Sequence, residues 1–199
     1  MEVMEPAVSY QKQHYTIEEY LELEKYAEEK HEYYCGEIFA ISGPKLQHNL
    51  VVKNVKGHLW NMLRGNPCQP YGGNQRIHIP KNTFFTYPDI VIVCGTPETL
   101  DNNDDNLLNP TVIIEVISAA TRVYEKTTKF NLYKDIPTLK EYILIEPEEL
   151  HIEANYLNKS MTWETVIYSG LKESLYLSSL GIYLPLAYIY EGAKVVNKE

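Results

Sequence analysis

The chain has 199 residues, of which 44% are hydrophobic and 23% charged; these proportions support one core-bearing globular domain and exclude a disordered tail, a collagen-like rod or a small scaffold held by staples. Its 18 Lys and Arg against 27 Asp and Glu give a net charge of -9, so an evenly charged surface would repel polyanions. The charge is uneven: Ser42 to Pro88 holds no acid but carries Lys45, Lys53, Lys56, Arg64, Arg76 and Lys81, which makes that stretch +6 and leaves the remaining residues at -15, so one region can face phosphate.

Cys35, Cys68 and Cys94 are an odd set with no CxxC pair, the pattern of buried or free thiols in a reducing compartment rather than of a disulfide framework. The first residues show no basic start followed by an apolar run, as a secretory or transit signal would. No apolar stretch approaches the roughly 20 residues that span a bilayer. A cytoplasmic protein without membrane contact is the expectation.

Residues 1–14 read as a loose arm and 15–199 as a single domain. Thr16-Ile17-Glu18-Glu19 matches a capping box, which predicts a short helix carrying Tyr20, Leu21 and Leu23. From His31 to Ile41 the aromatic and β-branched residues around Gly36 predict a hairpin. Leu46 to Leu63 has helical spacing, with Val52, Val55, Leu59 and Met62 on one face, Lys53, Lys56, Trp60 and Arg64 on another, and Gly65 as the stop. Strands are expected near Gln75–Ile79, Tyr87–Val93 and Val112–Ile117, the last two apolar on both faces as central strands are. The segment 96–109 reads as an acidic loop and Thr121–Tyr133 as a second helix ending before Pro137. Further strands are expected at Lys140–Ile145, Leu150–Tyr156 and Met161–Tyr168, with an apolar closing segment Tyr183–Tyr190. The resulting order is α/β, an α+β arrangement with a central mixed sheet flanked by helices.

Two residues are costly where they stand. Glu115 interrupts Val112-Ile113-Ile114-Glu115-Val116-Ile117, and an unpaired carboxylate in a buried strand costs several kcal/mol or more. A cation must face it. Asp89, at the start of Ile90-Val91-Ile92-Val93, can bring a second carboxylate to the same sheet edge. A hard divalent cation such as Mg²⁺, which accepts one or two carboxylates plus phosphate oxygens, relieves the repulsion between them.

The ordered set of Pro88-Asp89, Glu115-Val116-Ile117-Ser118, Thr121, Lys129, Tyr133 and Glu141-Tyr142-Ile143-Leu144-Ile145-Glu146-Pro147 resembles the Uma family, a restriction-endonuclease branch of the PD-(D/E)XK superfamily abundant in cyanobacteria. Glu32-Tyr33, Gly36-Glu37, Pro44 to His48 and Gln75-Arg76 also fall at family-like positions, so the resemblance covers roughly residues 15–190. It implies a restriction-endonuclease-like core and a Mg²⁺-dependent hydrolysis of DNA phosphodiesters, with Mn²⁺ as a possible substitute. Asp89, Glu115 and Val116 would form the metal seat. The superfamily lysine usually stands two residues after the glutamate, where this chain has Ile117; the resemblance assigns its role to Lys129 on the following helix. Glu37 would join the site from the hairpin, and Glu125 stands where family members commonly have Asp. Gln75, Arg76, Lys53, Lys56 and His48 would contact substrate.

Each assignment has a plainer counterpart. Glu115 can pair with a core lysine or arginine, Asp89 can cap a turn, Lys129 can form a solvated i,i+4 pair with Glu125, the lysine stripe can be a wet helix face, and His48 can be a packed histidine. Zinc spacing, phosphate-cradling glycine loops and a nucleophile elbow are absent. The 17 tyrosines point to half-buried sheet faces or an interface before base stacking. Rival expectations are a catalytically weak binding or regulatory module and a C₂ homodimer.

Overall fold

The computed structural model describes residues 14–41, 43, 45–117 and 121–196. Most of the expected N-terminal arm, together with Pro44 and Ser118 of the family pattern, lies outside the described residues.

The Thr16 capping box forms as read: the Thr16 hydroxyl accepts from Glu19 N–H, the Glu19 carboxylate accepts from Thr16 N–H, and helix α1 runs Ile17–Glu24. The hairpin follows as β1 (His31–Tyr34) and β2 (Glu37–Ala40). Cys35 and Gly36 turn it, both at positive φ (48° and 92°), the mirror-image turn that matches strand twist. Helix α2 spans Leu46–Met62. Its buried stripe is Val51, Val55 and Leu59, continuing into Leu63; Val55 and Leu59 are as expected, whereas Val52 is only partly buried against the core and Met62 is exposed.

Next come β3 (Cys68–Gly72), β4 (Arg76–Ile79), β5 (Phe84–Thr86) and β6 (Ile90–Cys94). The acidic loop contains a 3-10 turn at Leu100–Asn102 and a two-residue strand β7 (Asn106–Leu107), ahead of β8 (Val112–Val116). The second helix is composite: α3 (Arg122–Tyr124), a π-helical turn at Glu125–Lys129, and α4 (Phe130–Tyr133). After it stand β9 (Glu141–Ile145), β10 (Ile152–Leu157), β11 (Trp163–Tyr168), β12 (Ser174–Leu177), β13 (Ile182–Pro185) and α5 (Leu186–Ile189).

A six-stranded mixed sheet, in the order β11-β10-β9-β8-β6-β3, carries the centre, and a five-stranded sheet β2-β1-β5-β4-β7 lies beside it. Only β8 and β9 run parallel within the first sheet; its other pairs are antiparallel. One face, with Ile90, Ile92, Val112, Ile114 and Ile143, packs on the Val51–Leu59 stripe of α2 and on Leu175, Leu184 and Ile189. The opposite face, with Val91, Val93, Ile113, Tyr142 and Leu144, packs on Phe130, Tyr133 and the β4–β5 residues Ile77, Ile79 and Phe84. Burial on both faces is why β6 and β8 are apolar without alternation, and the α/β architecture with a mixed sheet and flanking helices is as expected.

The cysteine expectation is corrected. Cys68 and Cys94 face each other across the antiparallel β3–β6 pair and form a disulfide, while Cys35 is free and exposed. The pair is 26 residues apart in sequence, so no CxxC-type spacing announces it; strand pairing alone brings the thiols together.

Candidate active site

The β6–β8 register sets Ile90 opposite Ile114, so one step earlier on β6 falls Asp89, opposite Glu115. Glu115 faces α4, where Tyr133 meets it, while Asp89, the residue before β6, directs its carboxylate along the sheet edge to the Val116 amide and to His48. Asp89 N–H donates to Glu115 Oε2 (3.1 Å), and Asp89 Oδ2 accepts from Val116 N–H (2.8 Å). His48, on the first turn of α2, shares a hydrogen bond with the same Oδ2 (3.1 Å). Asp89, Glu115, Val116 and His48, drawn from three segments of the sequence, therefore meet at one sheet edge.

Glu115 is buried and its second oxygen is fully engaged. Oε1 accepts from Tyr133 Oη (2.8 Å) and from Lys129 Nζ (2.9 Å). Lys129 is equally buried, and its Nζ also reaches Glu32 Oε1 (3.1 Å) and Glu125 Oε1 (3.2 Å). An ammonium has three N–H donors, and here three carboxylates surround it. The π-helical turn explains how a helix four residues after Glu125 delivers its lysine inward: the extra residue in the turn re-aims the side chain, a device that recurs at functional sites. The cation that Glu115 requires is thus Lys129, and the surface i,i+4 reading of Lys129 and Glu125 is corrected because both are buried.

One cation among three carboxylates leaves the cluster short of positive charge. Burial pushes the Glu115 carboxyl up to about 8, with Lys129 opposing and Glu125 and Asp89 adding to the rise. Burial likewise raises Glu125. Burial alone would lower Lys129, but Glu115, Glu125 and Glu32 outweigh it and hold the ammonium well above its usual range. His48 shows the same contest: burial lowers it, and the hydrogen bond and charge of Asp89, together with Asn49 and the Val116 backbone, leave it raised on balance.

Glu32, named in the sequence only as part of the family-like pattern, joins the cluster around Lys129. Its Oε1 accepts from Thr86 Oγ1 and its Oε2 from Tyr124 Oη (3.0 Å). Glu37, the expected hairpin ligand, is exposed at the start of β2 and makes none of these contacts. Cross-strand pairing places Glu37 opposite Tyr34 and Glu32 opposite Phe39, so both acids share a hairpin face; β1 is interior because it also pairs with β5 through Tyr33 and Phe85, whereas β2 is the sheet edge. Only that long-range pairing distinguishes the two acids. Tyr133 and Tyr142 complete the wall, Tyr142 Oη donating to Glu125 Oε2 (3.2 Å).

The expected substrate contacts divide. Lys53 and Lys56 are exposed on α2. Gln75 is occupied in holding the acidic loop, its Nε2 donating to the carbonyls of Asp104 (2.9 Å) and Asp105 (3.1 Å). Arg76 is buried: Nε donates to Asn106 Oδ1 (2.6 Å), a second nitrogen to Tyr87 Oη (3.1 Å), and the guanidinium lies over Tyr20 and Phe85. This guanidinium braces the five-stranded sheet from inside and is not presented at the surface.

Among the described residues no three His, Cys, Asp or Glu side chains gather in metal-ligand geometry. The donor set nevertheless suits a hard cation, since Asp89 Oδ1 accepts no hydrogen bond among the described residues and Glu115 Oε2 accepts only one, from the Asp89 amide. Mg²⁺ is commonly bound through one or two carboxylates, with water and phosphate completing the shell. No helix among the described residues is long and apolar enough to cross a membrane.

The fold is similar to that in the crystal structure of "a putative nuclease belonging to DUF820" from Anabaena variabilis, with a TM-score of 0.70 over 88% of this chain and 97% of that one at 18% identity. In sequence the chain is similar to two proteins of Synechocystis sp., the uncharacterized proteins slr1290 and sll1609. The first is 29% identical over 175 residues, 88% of this chain and 90% of the relative. The second is 33% identical over 131 residues, 66% of this chain and 74% of the relative. The family profile described as "Putative restriction endonuclease" matches residues 17–187, and the chain belongs to that family, Uma2.

Proposed function

We propose that the protein is a Mg²⁺-dependent endonuclease that hydrolyses phosphodiester bonds of DNA, with Mn²⁺ able to substitute. The observation that carries this reading is the meeting of Asp89 and Glu115 at one sheet edge with Lys129 against Glu115. Asp89 and Glu115 would hold the cation beside the Val116 backbone; when bound it would supply Lewis-acid polarisation of the phosphate and a lowered pKa for the attacking water. The chain's own residues do the positioning. His48 fixes the Asp89 carboxylate through Oδ2, Tyr133 fixes Glu115 through Oε1, and Lys129 brings a buried positive charge to the place where negative charge develops on phosphate oxygens. Glu32 and Glu125, steadied by Thr86, Tyr124 and Tyr142, hold the ammonium in place.

A second reading rests on the same lysine. Because Glu115 already has a protein cation, the fold can persist as a nucleic-acid-binding or regulatory module that takes up no metal. Calorimetric titration with Mn²⁺ separates the two: the nuclease reading expects binding in the wild type that is lost in Glu115→Gln and Asp89→Asn, together with Mg²⁺-dependent cleavage of DNA absent from both variants. Equal cleavage by wild type and variants, or no Mn²⁺ binding by the wild type, would overturn it.

A further inference from the structure

Two lysines from different segments converge on one short turn beside Asp89. The turn is Gly72–Gly73–Asn74–Gln75, between β3 and β4, closed by Gln75 N–H donating to Gly72 C=O (2.8 Å). Its backbone lies directly on Asp89: a β-carbon added at Gly73 would meet the Asp89 carbonyl oxygen at 3.5 Å and its Cα at 3.6 Å. Lys30, the residue before β1, reaches over from the five-stranded sheet and donates from Nζ to Gly73 C=O (2.6 Å) and Asn74 Oδ1 (2.6 Å). Lys56, about two turns beyond His48 on α2, occupies the space beside Gly72, where any β-carbon would overlap its Nζ.

Among the described residues neither ammonium forms an ion pair, in contrast to Lys25, Lys81, Arg122, Lys126 and Lys129; the carboxylates of Asp89 and Glu24 act on Lys30 only at longer range. Lys30 spends two of its three donors on neutral oxygens, so its charge and one N–H remain for a ligand. Lys56 lies within the stretch 42–88, which contains no acid, and the turn that both lysines approach, Gly72–Gln75, lies in the same stretch. Two unpaired ammonium groups held over a backbone turn, next to a carboxylate at a sheet edge, make a seat for a phosphate.

We propose that Lys30 and Lys56 form a clamp on the backbone phosphate of a bound DNA strand, seating it over the Gly72–Asn74 turn so that the neighbouring phosphodiester lies against Asp89. This rests on the nuclease reading and supplies its substrate-positioning element. Lys30 and Lys56 are positioning residues, and Gly72 is glycine so that Lys56 can lie across the strand.

The test is binding of a short fluorescein-labelled DNA duplex by the full chain in a Glu115→Gln background, followed by anisotropy over a series of salt concentrations. Each phosphate contact contributes about 1 to the slope of log affinity against log salt. Lys30→Met and Lys56→Met are each expected to flatten the slope by about 1 and weaken binding several-fold, Lys30→Arg to keep the wild-type slope, and Lys172→Met, on the distant β11–β12 turn, to change nothing. Gly72→Ala shifts the end of the Lys56 side chain without removing its charge and is expected to weaken binding less than Lys56→Met does. Mn²⁺ titration of Lys30→Met with Glu115 intact is expected to match wild type. If Lys30→Met with Lys56→Met retains the wild-type slope while Mn²⁺ binding persists, the clamp is wrong and the nuclease reading stands. Equal losses from Lys172→Met would also overturn the clamp, as an effect of overall charge. A wild type that binds neither Mn²⁺ nor DNA would overturn both.

Discussion

Lys129 Nζ lies 2.9 Å from Glu115 Oε1, Glu115 standing on β8 and Lys129 at the end of the π-helical turn. Neither would be tolerable alone at that depth, since an isolated buried charge is far costlier than a paired one. Their contact explains why a carboxylate can stand in the middle of β8.

Removing the cation should therefore cost more than removing one of its acids. Lys129→Met leaves Glu32, Glu115 and Glu125 buried without a counter-charge, and about 3–5 kcal/mol of stability should be lost at neutral pH. Urea unfolding of Lys129→Met and Glu115→Gln side by side measures this. A lysine variant as stable as wild type would show that the carboxylates take up protons or water at little cost.

The raised Glu115 carboxyl predicts a pH dependence of stability with a definite sign. Between its ordinary value of 4.5 and about 8 the folded chain keeps a proton that the unfolded chain has released. Stability from this group is therefore fully present below 4.5 and lost as pH rises through about 8. Glu115→Gln should flatten this decline, by up to a few kcal/mol. Unfolding midpoints of wild type and variant at acid and mildly alkaline pH should converge at low pH and diverge at high pH in favour of the variant.

His48 holds one oxygen of Asp89, and residues that orient metal-binding carboxylates commonly matter 10–100-fold in affinity. His48→Ala should weaken Mn²⁺ binding by about that factor, while Glu37→Ala, on the exposed hairpin edge, should leave it unchanged. A loss in Glu37→Ala equal to that in His48→Ala would place Glu37 among the groups that bind the metal.

The Cys68–Cys94 bond closes a loop of 26 residues, for which chain-entropy reasoning gives roughly 3 kcal/mol. Thiol titration of the unreduced, denatured chain should find one reactive thiol, Cys35, and three after reduction; reduction should also lower the melting temperature. Three thiols before reduction would restore the reading of the cysteines as free.

Much of the architecture was legible because it is local. The capping box at Thr16, the hairpin turn at Cys35-Gly36 and the two apolar strands are set by neighbours within a few residues, and the uninterrupted apolar runs of β6 and β8 announce burial on both faces. Asp89 and Glu115 were legible for the same reason: a carboxylate inside such a run is conspicuous, and strand geometry carries both to one edge. The three residues of β5 are too few to show a period, and β3 carries Pro70 and Gly72, residues that argue against a strand; the burial of Arg76 was not legible because nothing local reveals that Tyr20, Phe85 and Tyr87 enclose it.

By itself the sequence determined which residues are expensive to bury and which turns and caps can form, because those costs are properties of side chains and of short peptide geometry. Tertiary structure alone decided which acid of the hairpin meets Lys129, which cysteines meet and which cation answers Glu115. Glu32 rather than Glu37 reaches Lys129 because β1 pairs with β5, Cys68 meets Cys94 through the register of β3 on β6, and Lys129 is turned inward by one π-helical turn. Each depends on contacts between segments far apart in the chain, where the energy of a residue's place is set by what packs against it.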